Sequence, residues 1–338
     1  MKMRVSLQQL PHSSATRLYL RRISAALRLL GLQDGDGAAG LYQCEPFDPD
    51  RRTIVMIHGL GGDALAWSRL TEAIEQCPQL HARFQVWHVV YNSNAPTLVI
   101  RRRAQGYLDE TWQRLDPEGR AAARSGMVLI GHSLGGVVAR MLCVDSGDAL
   151  WSAAFTVDPR AFPVHTLAAA PQVPDVFRFE RYPGVGRAIF LAAPHRGSPN
   201  ADNWLGRLAR ILVGDRTTEI RVLRTLVREH PEMVREELRA TYQQGRLNSI
   251  STLQVSQPVR RAGEALMPGH DIPYHVIAGA LPGIDPPGDG VVPLSSALLP
   301  GAASTLVMHA GHNLYDNGDA VNEILRILRE DVADRPAL

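Results

Sequence analysis

The stretch MVLIGHSLGGVV, residues 127–138, constrains the fold more than any other part of the chain. Its first four residues form a short apolar run of the kind a buried strand needs, and residues 137–144 carry a helical pattern. Between them Gly131, Ser133 and Gly135 satisfy G-x-S-x-G. A strand can pass straight into a helix only through a sharp turn whose central residue is strained. The residues two before and two after it must then be small. Such a turn lifts the serine hydroxyl above the end of a sheet, beside a helix N-terminus whose field favours a developing anion. A motif this short also arises by chance in a chain with 29 glycines, so its weight comes from what surrounds it.

The surroundings agree with it. Candidate strands lie at 54–58, 84–91, 127–130, 188–192, 274–278 and 305–308, most of them β-branched or aromatic and ending near Gly, Pro or Asn. Helical patterns lie between them, for example over 98–115. This alternation predicts an α/β fold, a mostly parallel central sheet flanked by helices. A catalytic domain is expected over 40–335, with two departures from the alternation. Five prolines across 145–187 predict an irregular excursion. Residues 200–260 read as helices, with Trp204, Leu208, Ile211 and Leu212 on one face, Ile220, Leu223 and Val227 continuing it, and Pro231 starting a further helix. Such a helical insertion is expected to act as a cap or lid. The competing reading is a packing helix pair with no part in substrate access.

Residues 1–35 stand apart. Six basic residues precede the first acid, Asp34, and Leu20, Ile23, Leu27 and Leu30 recur at helical spacing opposite Arg17, Arg21 and Arg28. The expectation is a basic amphipathic helix docked on the domain, with peripheral membrane contact as the second reading. No secretory signal and no membrane-spanning run are recognised, so a cytoplasmic location is expected. The formal net charge of +2 gives no overall pull toward nucleic acid. Three cysteines without metal-type spacing suggest neither a disulfide framework nor a zinc site. Neither a cofactor nor a metal is expected, and the oligomeric state is not legible.

A serine hydroxyl is a poor nucleophile without a base. After an elbow of this kind, an acid and then a histidine should follow in chain order. Asp289, in PPGDGVVP, follows the 274–278 strand, and His312, in HAGHNLYD, follows the 305–308 strand. Both stand after strands, where α/β sheets place their sites. His312 would take the Ser133 proton, and Asp289 would orient the imidazole. Rivals exist for each. Asp285 could serve as the acid. His309 is nearer its strand and is expected to face the core or a helix. Asp271 and His270 precede a strand, at the wrong end of the sheet. His132 reads as a packing or hydrogen-bonding residue of the elbow.

An oxyanion hole needs two backbone N–H donors. Leu134, next after the serine, is one candidate. The HGLGG loop at 58–62 offers the other, from Leu60. The same loop also fits a dinucleotide fingerprint through Gly59, Gly61 and Ala64, but the next strand ends in WHVVYNSN without the acid that reading requires. No lysine follows either glycine cluster, which excludes a P-loop.

Taken in order, VMIHGLGG, LIGHSLGG, FLAAPHRGSP, GDGVVP and AGHN give the chain a resemblance to the α/β-hydrolase superfamily, specifically to bacterial serine esterases and lipases. The matching stretches span residues 55–313. The resemblance implies an α/β-hydrolase fold, Ser133, Asp289 and His312 as the triad, Leu60 and Leu134 as oxyanion donors, and carboxylic-ester hydrolysis under a helical lid. In APHRGSP, the side chains of His195 and Arg196 are expected to brace the loops of the site. The substrate class expected is a small-molecule, lipid or polyester ester. Two alternatives stay open: an acyltransferase or amidase using the same triad, and a non-catalytic binding module on the same fold.

Overall fold

The computed structural model describes residues 8–9, 39–162, 172–197, 218–245, 247–249 and 251–335. The strands are β1 Gln8–Gln9, β2 Gly40–Gln43, β3 Arg52–Ile57, β4 Phe84–Val90, β5 Met127–His132, β6 Val185–Leu191, β7 Tyr274–Gly279 and β8 Ser304–Met308. They lie side by side in the order β1-β2-β4-β3-β5-β6-β7-β8. Strands β2 to β8 make up the sheet proper, and the two-residue β1 extends it at one edge, pairing parallel with β2. From β3 to β8 every pairing is parallel. Strand β2 runs antiparallel against β4.

Strand composition explains the layers. Strands β5, β6 and β7 are buried along their whole length, as parallel strands covered on both faces must be. Their alternate side chains feed two cores. Val55, Ile57 and Leu129 pack on one face with the helices Thr97–Leu115 and Leu134–Leu142. Ile54, Met56, Val128 and Ile130 pack on the other with Ser68–Glu75 and Gly318–Asp334. Strand β8 closes one edge and alternates between half-buried and exposed positions.

The winding direction reverses at β3, which lies between β4 and β5. At such a switch point the loops leaving the carboxyl ends of neighbouring strands diverge and open a crevice. The 58–62 loop leaves β3 there, and Ser133 leaves β5.

The excursion after the Leu134–Leu142 helix contains two short helices, Ala149–Ala154 and Gln172–Phe177. Further on, helices Thr218–Glu229, Glu236–Gln244 and Pro258–Glu264 follow one another. Ile220, Leu223 and Val227 are buried, and Pro231 opens a 3-10 turn, Pro231–Met233. The face expected over Trp204 to Leu212, and the amphipathic helix expected within 1–35, lie outside the described residues. No helix among the described residues is long and apolar enough to cross a membrane.

Candidate active site

Ser133 sits at the joint between β5 and its helix with φ 53° and ψ −123°, a conformation that costs an L-residue strain energy. The surroundings hold it there. Its N–H donates to the Leu191 carbonyl at 2.8 Å, and its own carbonyl accepts from Gly136 at 2.9 Å and Val137 at 3.3 Å. The glycines follow from close approach. A Cβ on Gly135 would collide with the carbonyls of Ile57 and His58, and one on Gly131 with the Gly135 carbonyl. Strand β3 and the elbow can lie this close only without those side chains.

The loop after β7 delivers Asp289, which is 3% exposed. Its Oδ1 accepts from the backbone N–H groups of Val291 at 2.8 Å and Val292 at 2.7 Å. Its Oδ2 is left for His312, whose Nδ1 lies 2.8 Å away. On the other side of the ring, Nε2 of His312 is 2.9 Å from Oγ of Ser133. With Nδ1–H donating to the carboxylate, Nε2 is the lone-pair nitrogen that faces the serine hydroxyl. The structure thus brings together the three residues named from the sequence, 156 and 23 positions apart along the chain. A hydroxyl, an imidazole and a buried carboxylate joined in this order can remove and return a proton at Oγ.

The rivals fall elsewhere. Asp285 is exposed. Asp271 is exposed at the start of β7, paired with Arg181. His309 is exposed too, which corrects the expectation that it faces the core or a helix: β8 is an edge strand, and the residue leaving it meets solvent. His132 donates from Nε2 to the His312 carbonyl at 2.8 Å.

The 58–62 loop is braced from behind. His58 Nε2 accepts from the Tyr91 N–H at 3.2 Å, which leaves Nδ1–H to donate to the Gly59 carbonyl at 2.7 Å. The Tyr91 hydroxyl, its pKa raised by burial, donates to the His58 carbonyl at 2.6 Å. Gly61 N–H donates to Ser93 Oγ at 3.1 Å. A Cβ on Gly59 would stand 3.1 Å from the Ser133 Cβ, so the loop abuts the serine itself. Leu134 therefore follows directly on Ser133, and Leu60 on the loop glycine that abuts it. The brackets made by Ser93, Val291 and Val292 were not foreseen from the sequence. Two of them are main-chain groups, which leave no mark in it.

Of the two side chains expected to brace the loops, that of Arg196 does so, donating from Nη1 to the Ser295 carbonyl at 3.3 Å, whereas His195 braces through its main chain alone, because its buried ring has no polar group within reach. The His195 N–H donates to the Ala193 and Ser296 carbonyls, and the Arg196 N–H donates to Ser296 Oγ. The imidazole of His195 takes no part in this.

A family model described as the alpha/beta hydrolase family matches residues 54–324. The chain belongs to that family. Solved structures similar to it include the mature lipase BlEst2 of Bacillus licheniformis, at 18% identity and a TM-score of 0.45, covering 85% of this chain and 97% of that one. The monoacylglycerol lipase of Paleococcus ferrophilus is similar at 15% identity and a TM-score of 0.44, covering 87% and 99%. The propionate-bound esterase Est2 of Thermogutta terrifontis is similar at 16% identity and a TM-score of 0.44, covering 88% and 90%. Among curated proteins, none matches the chain.

Proposed function

We propose that the protein is a serine carboxylic-ester hydrolase that works through an acyl-enzyme on Ser133. The observation that carries this reading is the unbroken hydrogen-bond chain from Ser133 Oγ through His312 to the buried Asp289. In the first step His312 Nε2 takes the Oγ proton as oxygen attacks the ester carbonyl carbon. The carbonyl oxygen becomes an oxyanion, held by the N–H groups of Leu60 and Leu134. As the intermediate collapses, the C–O bond to the alcohol breaks and His312 returns the proton to the leaving oxygen. Water then repeats the sequence, with His312 as base, and releases the carboxylic acid and free Ser133. Asp289 keeps the Nδ1–H tautomer and stabilises the imidazolium formed in each half. The helices of 218–264 act as a cap over the acyl side of the site.

The test is hydrolysis of p-nitrophenyl esters of increasing acyl length by the wild type and by Ser133→Ala. Turnover in the wild type alone supports the reading, and the chain-length profile separates an esterase from a lipase. Equal residual turnover by both proteins would overturn it.

A further inference from the structure

Leu60 and Gly61 are the central residues of a turn closed by the Gly62 N–H, which donates to the Gly59 carbonyl at 3.1 Å. Gly61 has φ 64°, a conformation that suits glycine. The closing bond leaves the Leu60 N–H unused, and it has no acceptor among the described residues. Its direction is set by the two peptide planes on either side of Leu60. The Gly59–Leu60 peptide is held by His58, which donates to its carbonyl. The Leu60–Gly61 peptide is held by a different residue, for its N–H donates to Ser93 Oγ at 3.1 Å. A peptide beside a glycine turns over readily unless a bond of this kind holds it.

Ser93 is itself fixed from the far side. It follows β4 and is buried, and its carbonyl accepts from the hydroxyl of Ser249 at 2.6 Å. Ser249 is wholly buried and lies between the helices Glu236–Gln244 and Pro258–Glu264. A hydroxyl that deep costs stability unless it is bonded, and this one is spent on the main chain of a distant loop. The residues around it are rigid. The side chains of Asn248 and Ser251 each accept from the other's N–H, at 2.8 and 2.9 Å. A second tie runs beside the first: Thr97 donates from its N–H to Thr252 Oγ1 at 3.2 Å and bonds the same oxygen through its hydroxyl at 2.9 Å. Two points of attachment fix the 93–97 segment in orientation as well as in place.

We propose that Ser249 and Ser93 are positioning residues of the oxyanion hole. Ser249 holds the main chain of Ser93, Ser93 holds the Leu60–Gly61 peptide, and the Leu60 N–H is thereby aimed before substrate arrives. A donor fixed in advance needs no reorganisation as charge develops on the carbonyl oxygen. This role rests on the ester hydrolysis proposed above, because it needs an oxyanion to act on.

The experiment measures kcat and KM for p-nitrophenyl butyrate, and inhibition by an octyl trifluoromethyl ketone. Ser133 Oγ adds to the ketone carbon, the Oγ proton passes to His312, and the ketone oxygen becomes an oxyanion with no leaving group to expel. Ser249→Ala, Ser93→Ala and the double variant are compared with the wild type. Each single variant should lose about tenfold in kcat with KM changed by less than about twofold, as for a donor misaimed rather than removed. The inhibition constant of the ketone should rise by the same factor. Because both serines act on one peptide, the double variant should lose about as much as the larger single loss, not the product of the two. A lowered melting temperature with unchanged kcat and unchanged ketone affinity would assign the serines to packing and overturn the role. A loss confined to KM, or losses that multiply in the double variant, would overturn it as well. If Ser249→Ala fails to fold, Ser249→Cys, similar in size and a weak donor, carries the same readout, and unchanged kcat and ketone affinity there overturn the role. A wild type that neither hydrolyses the ester nor binds the ketone overturns the function proposed above and this role with it, whereas an active wild type with unchanged variants overturns this role alone.

Discussion

The ring of His132 donates from Nε2 to the main-chain carbonyl of His312 at 2.8 Å, so the residue before the serine holds the backbone of the histidine that faces it. The two rings lie 4.8 Å apart between centroids, and Tyr315 packs edge-on against His132 at 4.7 Å. Elbow and His312 loop are thereby locked to each other independently of the contact at Oγ. His132→Phe keeps an aromatic ring in place but removes the donor. It should lower kcat by about tenfold, the effect of one lost hydrogen bond that positions a reacting group. Steady-state kinetics on a short ester checks this, with circular dichroism to confirm the fold.

The acid assignment separates two aspartates four residues apart. Asp289→Asn preserves shape but cannot enforce the Nδ1–H tautomer of His312, and should cut kcat by about 10⁴. Asp285→Asn, at an exposed position, should change kcat by less than about twofold, within the range of neutral surface substitutions. The reverse pattern would show that the acid is misassigned.

Strain at Ser133 should be visible in stability. With φ at 53°, glycine suits the position better than any L-residue, so Ser133→Gly should be more stable than Ser133→Ala by about 1 kcal/mol in urea melts. Gly135→Ala should do the opposite. Its methyl has nowhere to go between the Ile57 and His58 carbonyls, and a loss of about 3 kcal/mol or failure to fold is expected.

At the far end of the sheet, His275 accepts from Arg187 Nη1 at 2.8 Å and so donates from Nδ1 to Ser304 Oγ at 2.7 Å. Arg187 is tied in turn to the fully buried Asp331. Desolvation, then the charge of Arg187, lowers the His275 pKa to about 4 from 6.5. Between those values the unfolded chain binds a proton that the folded one refuses. This contribution is therefore present above pH 6.5 and is lost as pH falls toward 4. It reaches about 3 kcal/mol at most. Urea melts of the wild type and His275→Gln across that window should show the slope reduced in the variant.

The parts of the fold that were legible in the sequence are those whose residues announce their own surroundings. Strands β3 to β7 could be seen because burial on both faces demands apolar runs, and the elbow because its glycines answer to collisions that any side chain would cause. Strand β2, with the short sequence GLYQ, was not seen. Its pairing with β4 is set by its partner and by the burial of its own Leu41 in the core, not by a period-two pattern. The order Ser133, Asp289, His312 could be read because each follows a strand. The amides of Val291 and Val292 could not, since every residue but proline carries one. In APHRGSP nothing in the letters divides the work of His195 between its backbone, which braces a loop, and its ring, which packs edge-on against Phe190.

The central claim is that Ser133 is a nucleophile made reactive by His312. A fluorophosphonate probe tests it most directly, because phosphonylation forms a bond at Oγ with loss of fluoride and needs no knowledge of the natural ester. Incubating the wild type, Ser133→Ala and His312→Ala with the probe and mapping the adduct by peptide mass spectrometry should show one label per wild-type chain, on Ser133. Ser133→Ala should show none, and His312→Ala should be labelled slower by at least about a thousandfold. An unlabelled wild type, or a label on another residue that persists in Ser133→Ala, would contradict the account.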